Sequence, residues 1–492
     1  MAEYLVRLAP EIATKARRTR KRFVGVLVKN IRDCLRSSGI AHTIDDRWSR
    51  VFVTANDQTT GRRIAGVFGV SSVSTIDARL PGDLDEIVRV GEELYRDRVA
   101  GKTYAVRARR AGSFGFGTQD VRVQLGAALN TYGTVNLDAP DVTVTVELRD
   151  GEAFLFCGRI DGVGGLPLGV EGRAVCLLSG GFDSPVAAWL MLKRGFALDY
   201  VFCNLGGEAY ERAVVSVEKI LADAWSFGDR PRIHVIDFDG VVADLKNVVT
   251  PRYWQIALKR VMYRAAEQVA TEIGAEGIVT GEAIGQVSSQ TLHNLRAIDD
   301  VTAFPVFRPL IGFDKYEIIE RAERIGTAAL SAHIREYCAI VPDKPVTKSS
   351  PDAARSEEAG IDLDLLRQTV ADRKVLKPRE LRAVDLVQPY LFAESIAEDA
   401  VVIDCREAHH YKAWHYPGAK HRDINDLAAR FTDLDKEKTY VLYCAFGVLT
   451  AHVAEAMQRA GYEAYSFKGG SRGVMRYGEG KGAKAPMEIL SS

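Results

Sequence analysis

The segment that most constrains this fold is Val175-Cys-Leu-Leu-Ser-Gly-Gly-Phe-Asp-Ser184. It is an apolar run that ends abruptly in Ser179-Gly180-Gly181-Phe182-Asp183-Ser184. Pro185–Arg194 follows and is closed by Gly195, so the spacing predicts strand, glycine-rich turn and helix, with proline in the first helical turn and glycine at the stop. Such a turn presents backbone N–H groups at a helix N-terminus, where the helix dipole favours anions. Ser179 and Ser184 add hydroxyl donors, and Asp183 can hold a magnesium ion over phosphates. The pattern GxxxxGK[ST] is absent, which excludes a Walker-type loop. An ordinary tight β–α turn is the plainer alternative, but it would not require this set of serines and aspartate. Around the turn, residues 171–342 alternate strand and helix. Strands are expected at Ala174–Leu178, Leu198–Cys203, Arg232–Phe238, Gly277–Gly281 and Val306–Leu310. That is a doubly wound parallel sheet, whose ligand lies beyond the carboxyl ends of its strands. Thr280-Gly281-Glu282, Gly285–Thr291 and Arg308-Pro309-Leu310 would face that crevice, and Lys259-Arg260 could supply cations to it or simply be exposed.

The chain has 492 residues, 65 basic and 65 acidic, so any affinity for a polyanion must come from local asymmetry. Residues 1–75 read as a small α/β unit with strands at Tyr4–Leu8, Trp48–Thr54 and Gly66–Thr75 and one long helix over Ile12–Arg36. That helix concentrates Lys15, Arg17, Arg18, Arg20, Lys21 and Arg22 with almost no acidic partner at i±4. A solvated helix face and a phosphate-contacting face both fit. Residues 76–168 form a second α/β unit, with a hairpin turning at Arg149-Asp150-Gly151 and a basic cluster at Arg107, Arg109 and Arg110. The glycine-rich junction Gly162–Gly169 marks its end. No run of about 18 apolar residues suggests a membrane span, and the N-terminus lacks the layout of a secretory signal. The seven cysteines show no CxxC and no zinc-like spacing, so a cytoplasmic chain with reduced thiols is expected.

Residues 343–397 read as a linker, polar and rich in proline and serine around Lys344–Glu358, with a helix expected over Leu363–Asp372. Treated as flexible coil, its 55 residues have an r.m.s. reach of about 40 Å. A third kind of unit spans 398–485, where a strand at Thr439–Tyr443 runs into Cys444-Ala-Phe-Gly-Val-Leu-Thr450 and then a helix. A cysteine there faces the N–H groups of a tight loop and a helix N-terminus, which favour a thiolate or a persulfide. Cys405 continues an apolar strand and is expected to pack. Cys34, Cys157, Cys176 and Cys203 read as core, and Cys338 has no local activating device.

Taken together, these motifs resemble the ThiI family of tRNA 4-thiouridine sulfurtransferases, nearly end to end, in the form with a C-terminal rhodanese domain. The resemblance implies a ferredoxin-like domain at 1–75, a tRNA-binding THUMP domain at 76–168, a PP-loop ATP pyrophosphatase domain at 171–342 and a rhodanese-like domain at 398–485. Ser179–Ser184 is similar to the PP-loop, and Thr280–Thr291 to the second nucleotide segment. Asp404-x-Arg406-Glu407, His415-x-Pro417-Gly418-Ala419 and the Cys444 loop are similar to a rhodanese. The resemblance carries ATP contacts onto Leu177, Leu178, Lys259, Gly281 and Gln290, and roles in activation onto Asp183 and Lys315. It carries a sulfur-transfer cysteine onto Cys338, a persulfide onto Cys444, and a Cys338–Cys444 disulfide during turnover. One departure is that Ala445 and Phe446 stand where the family usually has charged residues, which leaves activation of Cys444 to backbone N–H groups.

The implied reaction uses ATP and Mg²⁺ to adenylate uridine 8 of tRNA, and no tightly bound redox cofactor is expected. Sulfur arrives from a pyridoxal-phosphate cysteine desulfurase through Cys444. A second output, sulfur for thiamine thiazole through a ThiS-like carrier protein, stays open, as does a tRNA-binding module with a decayed ATPase. The sequence leaves homodimer formation open.

Overall fold

A computed structural model describes residues 1–47, 50–57, 59–332, 334, 344–382, 386, 391–444 and 447–479. The α/β multidomain architecture expected from the sequence is present as four sheets among the described residues. They fall into two compact units, one of residues 1–171 with Lys193–Gly195 and Phe227–Asp229, the other of the remaining chain. No helix among the described residues is long and apolar enough to cross a membrane.

In the first unit, an antiparallel sheet runs in the order Ile160–Asp161, Val70–Ile76, Ala2–Leu8, Arg50–Ala55, His42–Arg47. The central strand Ala2–Leu8 pairs on both sides, Leu5 opposite Phe52 and Ser74. The expected helix over Ile12–Arg36 is two helices, Pro10–Ala13 and Arg17–Ser37. The longer one buries Phe23, Leu27, Ile31 and Leu35 against the sheet, a spacing that puts these side chains on one face. Its arginines and lysines are thereby turned outward. Residue 48, where the strand Trp48–Thr54 was expected to begin, lies outside the described residues, and the strand is seen from Arg50. The second sheet of this unit carries the hairpin Val142–Arg149/Glu152–Cys157, with Asp150 (φ 52°) and Gly151 (φ 81°) both left-handed, as a two-residue turn matched to strand twist requires.

The second unit holds the six-stranded sheet Val306–Phe307, Ile278–Val279, Arg173–Leu178, Ala197–Asn204, Ile233–Asp237, Lys374–Leu376. All pairs are parallel except the last. All eight residues of Ala197–Asn204 are buried, the state of a strand covered on both faces by crossover helices. At the amino-terminal end of the sheet, fully buried Asp199 is held by Arg173 at 3.0 Å and Arg232 at 2.6 Å. That pair of cations lies at the far end from the ligand crevice and clamps strands together.

Within the expected linker 343–397, the helix expected over Leu363–Asp372 is present as Leu363–Ala371, while the helix Pro351–Glu358 and the strand Lys374–Leu376 stand where coil was expected. Helices Pro351–Glu358 and Leu363–Ala371 and the strand Lys374–Leu376 belong to this layer, the strand extending the sheet beside Ile233–Asp237. Polar composition misled because the binding is ionic. Arg260, 1% exposed on the long helix Trp254–Ile273, makes a bidentate pair with Glu358 (2.8 and 2.6 Å), and Arg264 adds a third contact at 2.7 Å. A forked guanidinium–carboxylate pair fixes orientation as well as distance.

The last sheet, in the same unit, is all parallel in the order Phe392–Ala393, Glu463–Phe467, Thr439–Tyr443, Val401–Asp404, Lys420–His421. Alternation decides its two faces. Ile403 and Leu442 point into one core, and Val402, Val441 and Tyr443 into the other.

Candidate active site

The strand Arg173–Leu178 ends in the glycine turn, and the helix Asp183–Lys193 starts immediately after it. The turn is pinned from within and from behind. Ser179 N–H donates to Ser184 Oγ (3.1 Å), Tyr210 Oη–H donates to the Ser179 carbonyl (2.6 Å), and Ser331 Oγ–H donates to the Gly181 carbonyl (3.3 Å). The neighbouring strand end presses against it. A Cβ on Gly281 would sit 2.7 Å from Ser184 N and 2.8 Å from the Asp183 carbonyl carbon, so only glycine permits this approach. Above the turn, Lys315 Nζ reaches Asp183 Oδ1 at 2.8 Å and lies over the Phe182 ring. Lys315 is the first residue of a helix whose Asp314 and Glu317 form a capping box, which sets its direction.

A cavity of about 270 Å³ opens between these strand ends. Its apolar side is formed by Leu177, Leu205, Leu258 and Met262, and its polar side by Ser179, Asp183, Ser184, Lys259, Glu282 and Gln290. Glu282, 4% exposed, accepts from Lys259 Nζ (2.5 Å), Tyr263 Oη (2.6 Å) and Arg308 Nε (2.9 Å). Burial alone would raise its pKa. The two cations Lys259 and Arg308 overcome this and bring it to about 2, so the carboxylate is charged throughout the working range. Arg308 is in turn held by Asp299. Lys259 is therefore fixed in direction rather than free to sweep. Two buried amide atoms lining the cavity, Gln290 Oε1 and Gln286 Nε2, have no hydrogen-bond partner among the described residues. A buried unpaired polar atom costs free energy unless a ligand or water pairs with it.

The second cluster is built on Cys444, at the end of the strand Thr439–Tyr443. Its Sγ accepts from Gly447 N–H (3.3 Å) and Thr450 Oγ1 (3.5 Å), and Gly447, at φ 84°, caps the helix Val448–Arg459. Beneath it, Asp404 takes a bidentate grip from Arg406 and a bond from Tyr443 Oη (2.7 Å), while Arg406 also reaches the Trp414 carbonyl. The Asp404-x-Arg406 signature is thus a brace for the sheet end, and among the described residues neither side chain hydrogen-bonds the thiol. The short helix Ala328–Ser331 meets both clusters. Ser331 bonds the glycine turn, and Ala329 packs against the core that contains Cys444.

Of the residues expected from the sequence, Leu177, Leu178, Ser179, Asp183, Ser184, Lys259, Gly281 and Gln290 all line the one cavity. Gly180 and Gly181 lie in the turn above it, and Lys315 is joined to it through Asp183. Cys338, with the Cys338–Cys444 disulfide, falls outside the described residues, as do Ala445 and Phe446. Tyr263 and Tyr210 went unnoticed. Tyr263 stands four residues after Lys259, on the same helix face, and that spacing was the available signal. In the first unit, Lys15, Arg18, Lys21, Arg22, Arg107, Arg109 and Arg110 are all exposed. Arg22 donates to the Val170 carbonyl (3.3 Å) and Arg110 to the Phe116 carbonyl (2.8 Å). Arg17, Arg20 and Lys21 border a surface hollow of about 290 Å³.

Comparison with known proteins agrees along nearly the whole chain. The family described as Thiamine biosynthesis protein (ThiI) matches residues 169–363, and its ferredoxin-like domain matches 3–74. A THUMP domain matches 81–157 and a rhodanese-like domain 389–476. A tRNA sulfurtransferase of Pyrobaculum aerophilum is 36% identical, over 93% of this chain and 95% of its own length. Another, from Shewanella piezotolerans, is 34% identical over 94% and 98%. A crystal structure of a 4-thiouridine synthetase–RNA complex with bound ATP superposes with a TM-score of 0.68 at 32% identity, covering 76% of this chain and 99% of that one. With the glycine turn, the cradled thiol and identity of this extent over nearly the full length, the chain belongs to the tRNA sulfurtransferase (ThiI) family.

Proposed function

We propose that this protein uses ATP to activate uridine 8 of tRNA and replaces its C4 oxygen with sulfur carried on Cys444, giving 4-thiouridine. The observation that carries the reading is the helix Ala328–Ser331, which touches both the glycine turn and the Cys444 core within one compact unit. The cavity suits a purine nucleotide. Gln290 Oε1 and Gln286 Nε2 offer an acceptor and a donor to the edge of a base, and the apolar wall takes its face. Ser179, Ser184 and the N-terminus of the helix Asp183–Lys193 receive phosphates, and Lys259 is fixed as a counter-charge. Asp183 is the carboxylate at the turn that would hold Mg²⁺, with phosphates and water as the remaining ligands, a donor set usual for that ion. Bound magnesium would neutralise phosphate charge as pyrophosphate leaves.

A uridine C4 oxygen is a poor leaving group, and adenylation turns it into AMP, a good one. A pyridoxal-phosphate cysteine desulfurase delivers sulfur to Cys444, where Gly447 N–H and Thr450 Oγ1 stabilise the charge of a persulfide. The terminal sulfur then displaces AMP, directly or after Cys338 attacks the persulfide and frees sulfide, and a Cys338–Cys444 disulfide formed on the way is reduced before the next cycle. Ile334 packs beside Gly180 of the turn. Lys315 orients Asp183. Lys15, Arg18, Lys21, Arg22, Arg107, Arg109 and Arg110 contact tRNA phosphates, in the units 1–75 and 76–168. A ThiS-like carrier protein is a second acceptor of the Cys444 sulfur, for thiazole synthesis, and the protein works in the cytoplasm.

The test is mass spectrometry of tRNA after incubation with the protein, ATP, cysteine and desulfurase. One oxygen-to-sulfur exchange at uridine 8 is expected, lost with Cys444→Ala and with Asp183→Ala. Normal turnover by Cys444→Ala would refute the persulfide role, and adenylation of tRNA by Asp183→Ala would refute the assignment of the turn.

A further inference from the structure

The sequence presents Cys405 as a packing residue, but the sheet sets it directly beside Cys444. Asp404 pairs with Tyr443 as the last pair of the parallel ladder, Cys405 N–H still donates to the Tyr443 carbonyl at 2.8 Å, and Cys405 and Cys444 are the next residues in register, one step beyond it, in one shared core. Paired strands run about 4.8 Å apart. That lies inside the Cα–Cα range of roughly 4.4–6.8 Å that a disulfide spans. Both side chains are on the same face, because Ile403 and Leu442, two residues back on each strand, share the core that contains both cysteines. The two thiols are free in this structure, and both are buried.

Their surroundings differ. Cys444 Sγ has the Gly447 N–H and the Thr450 hydroxyl to stabilise negative charge. Cys405 Sγ has no such donor among the described residues, and burial, with Cys444 and Asp404 nearby, pushes its thiol well above the ordinary range. One is placed to react with an electrophile, and the other stays protonated until its neighbour has become one.

We propose that Cys405 is the resolving thiol of Cys444, closing an intradomain disulfide when Cys444 is oxidised by a peroxide. The Cys444 thiolate attacks a peroxide oxygen, the O–O bond breaks, hydroxide leaves, and Cys444 becomes a sulfenic acid. Cys405 sulfur then attacks Cys444 Sγ, the S–O bond breaks, and the departing oxygen takes the Cys405 proton as water. Two thiols supply the two electrons that reduce the peroxide. The disulfide halts sulfur transfer reversibly and keeps Cys444 from sulfinic acid, which thiols do not reduce. This rests on Cys444 being the reactive thiol of the domain, and its readout does not involve tRNA, ATP or desulfurase.

The experiment treats the full chain, prereduced, with hydrogen peroxide and maps cysteines by mass spectrometry after non-reducing digestion. A linked Cys405–Cys444 peptide pair is expected, lighter by two hydrogens and separated by dithiothreitol, with Cys338→Ser leaving it in place. In Cys405→Val, whose thermal melt checks the fold, the same dose drives Cys444 to sulfinic acid at least several-fold more than in wild type. The proposal is overturned if Cys444 links only to Cys338, if it reaches sulfinic acid equally with and without Cys405, or if it does not react. Failure of the sulfur-transfer reading would show separately, as normal thiouridine synthesis by Cys444→Ala.

Discussion

Replacing Gly281 by alanine tests the nucleotide site through backbone geometry alone. The new methyl would lie 2.7, 2.8 and 2.9 Å from Ser184 N, the Asp183 carbonyl carbon and Ser184 Cα, all main-chain atoms that cannot swing aside. Carbon contacts settle at about 3.5–4.0 Å, so the strand end and the turn must part by roughly 0.7 Å or more. Overpacking of this kind costs about 1–3 kcal/mol of stability. The larger effect is on chemistry, because the displaced atoms belong to Asp183 and Ser184. A misplacement near 1 Å costs on the order of 10²-fold, so kcat/KM for ATP in pyrophosphate release should fall roughly 30- to 100-fold. Gly240→Ala is the matched comparison. It lies in the helix Asp239–Val248 with nothing within 4 Å, and should keep full activity while gaining about 0.5–1 kcal/mol. Wild-type kcat/KM in Gly281→Ala, with an unchanged melt, would refute the claim that close approach of these two strand ends shapes the site.

Glu282→Gln should destabilise most near neutral pH. Its folded pKa lies below the ordinary value, so its stabilisation is complete above that value and is lost as pH falls towards about 2. The difference in melting midpoint from wild type, worth about 3 kcal/mol for a depression of roughly two units, should shrink steadily below about pH 4. Gln290→Leu removes a buried acceptor that nothing in the described chain satisfies, so calorimetry should show ATP binding weakened by about 2- to 12-fold, with the melt unchanged or raised. Glu358→Ala leaves Arg260 buried without its forked partner, and denaturant titration should show a loss of about 3–5 kcal/mol.

Much of the nucleotide site was legible because its parts are local. A strand, a glycine turn and a helix start occupy consecutive residues from Val175 to Arg194, and the chemistry of Ser179, Asp183 and Ser184 follows from that order. The capping box at Asp314 and Glu317 is equally local, and it orients Lys315. The coil reading of Lys344–Glu358 failed for the opposite reason. The sequence shows the polarity of 343–397 but not that Glu358 meets Arg260 and Arg264 across a helix.

What the sequence by itself determined, then, is the order of the units, the cradle for phosphate and the position of Cys444 between a strand and a helix. Only tertiary structure decided which distant groups face one another. Glu282 becomes the anchor of Lys259, Gly281 the backing of Ser184, and Ala328–Ser331 the contact between the turn and the thiol core. Cys405, silent in the sequence, becomes the lateral neighbour of Cys444. Covalent order sets what lies within a few residues along the chain. Strand pairing and helix packing bring together residues as far apart as Cys405 and Cys444, and only the folded chain reveals them.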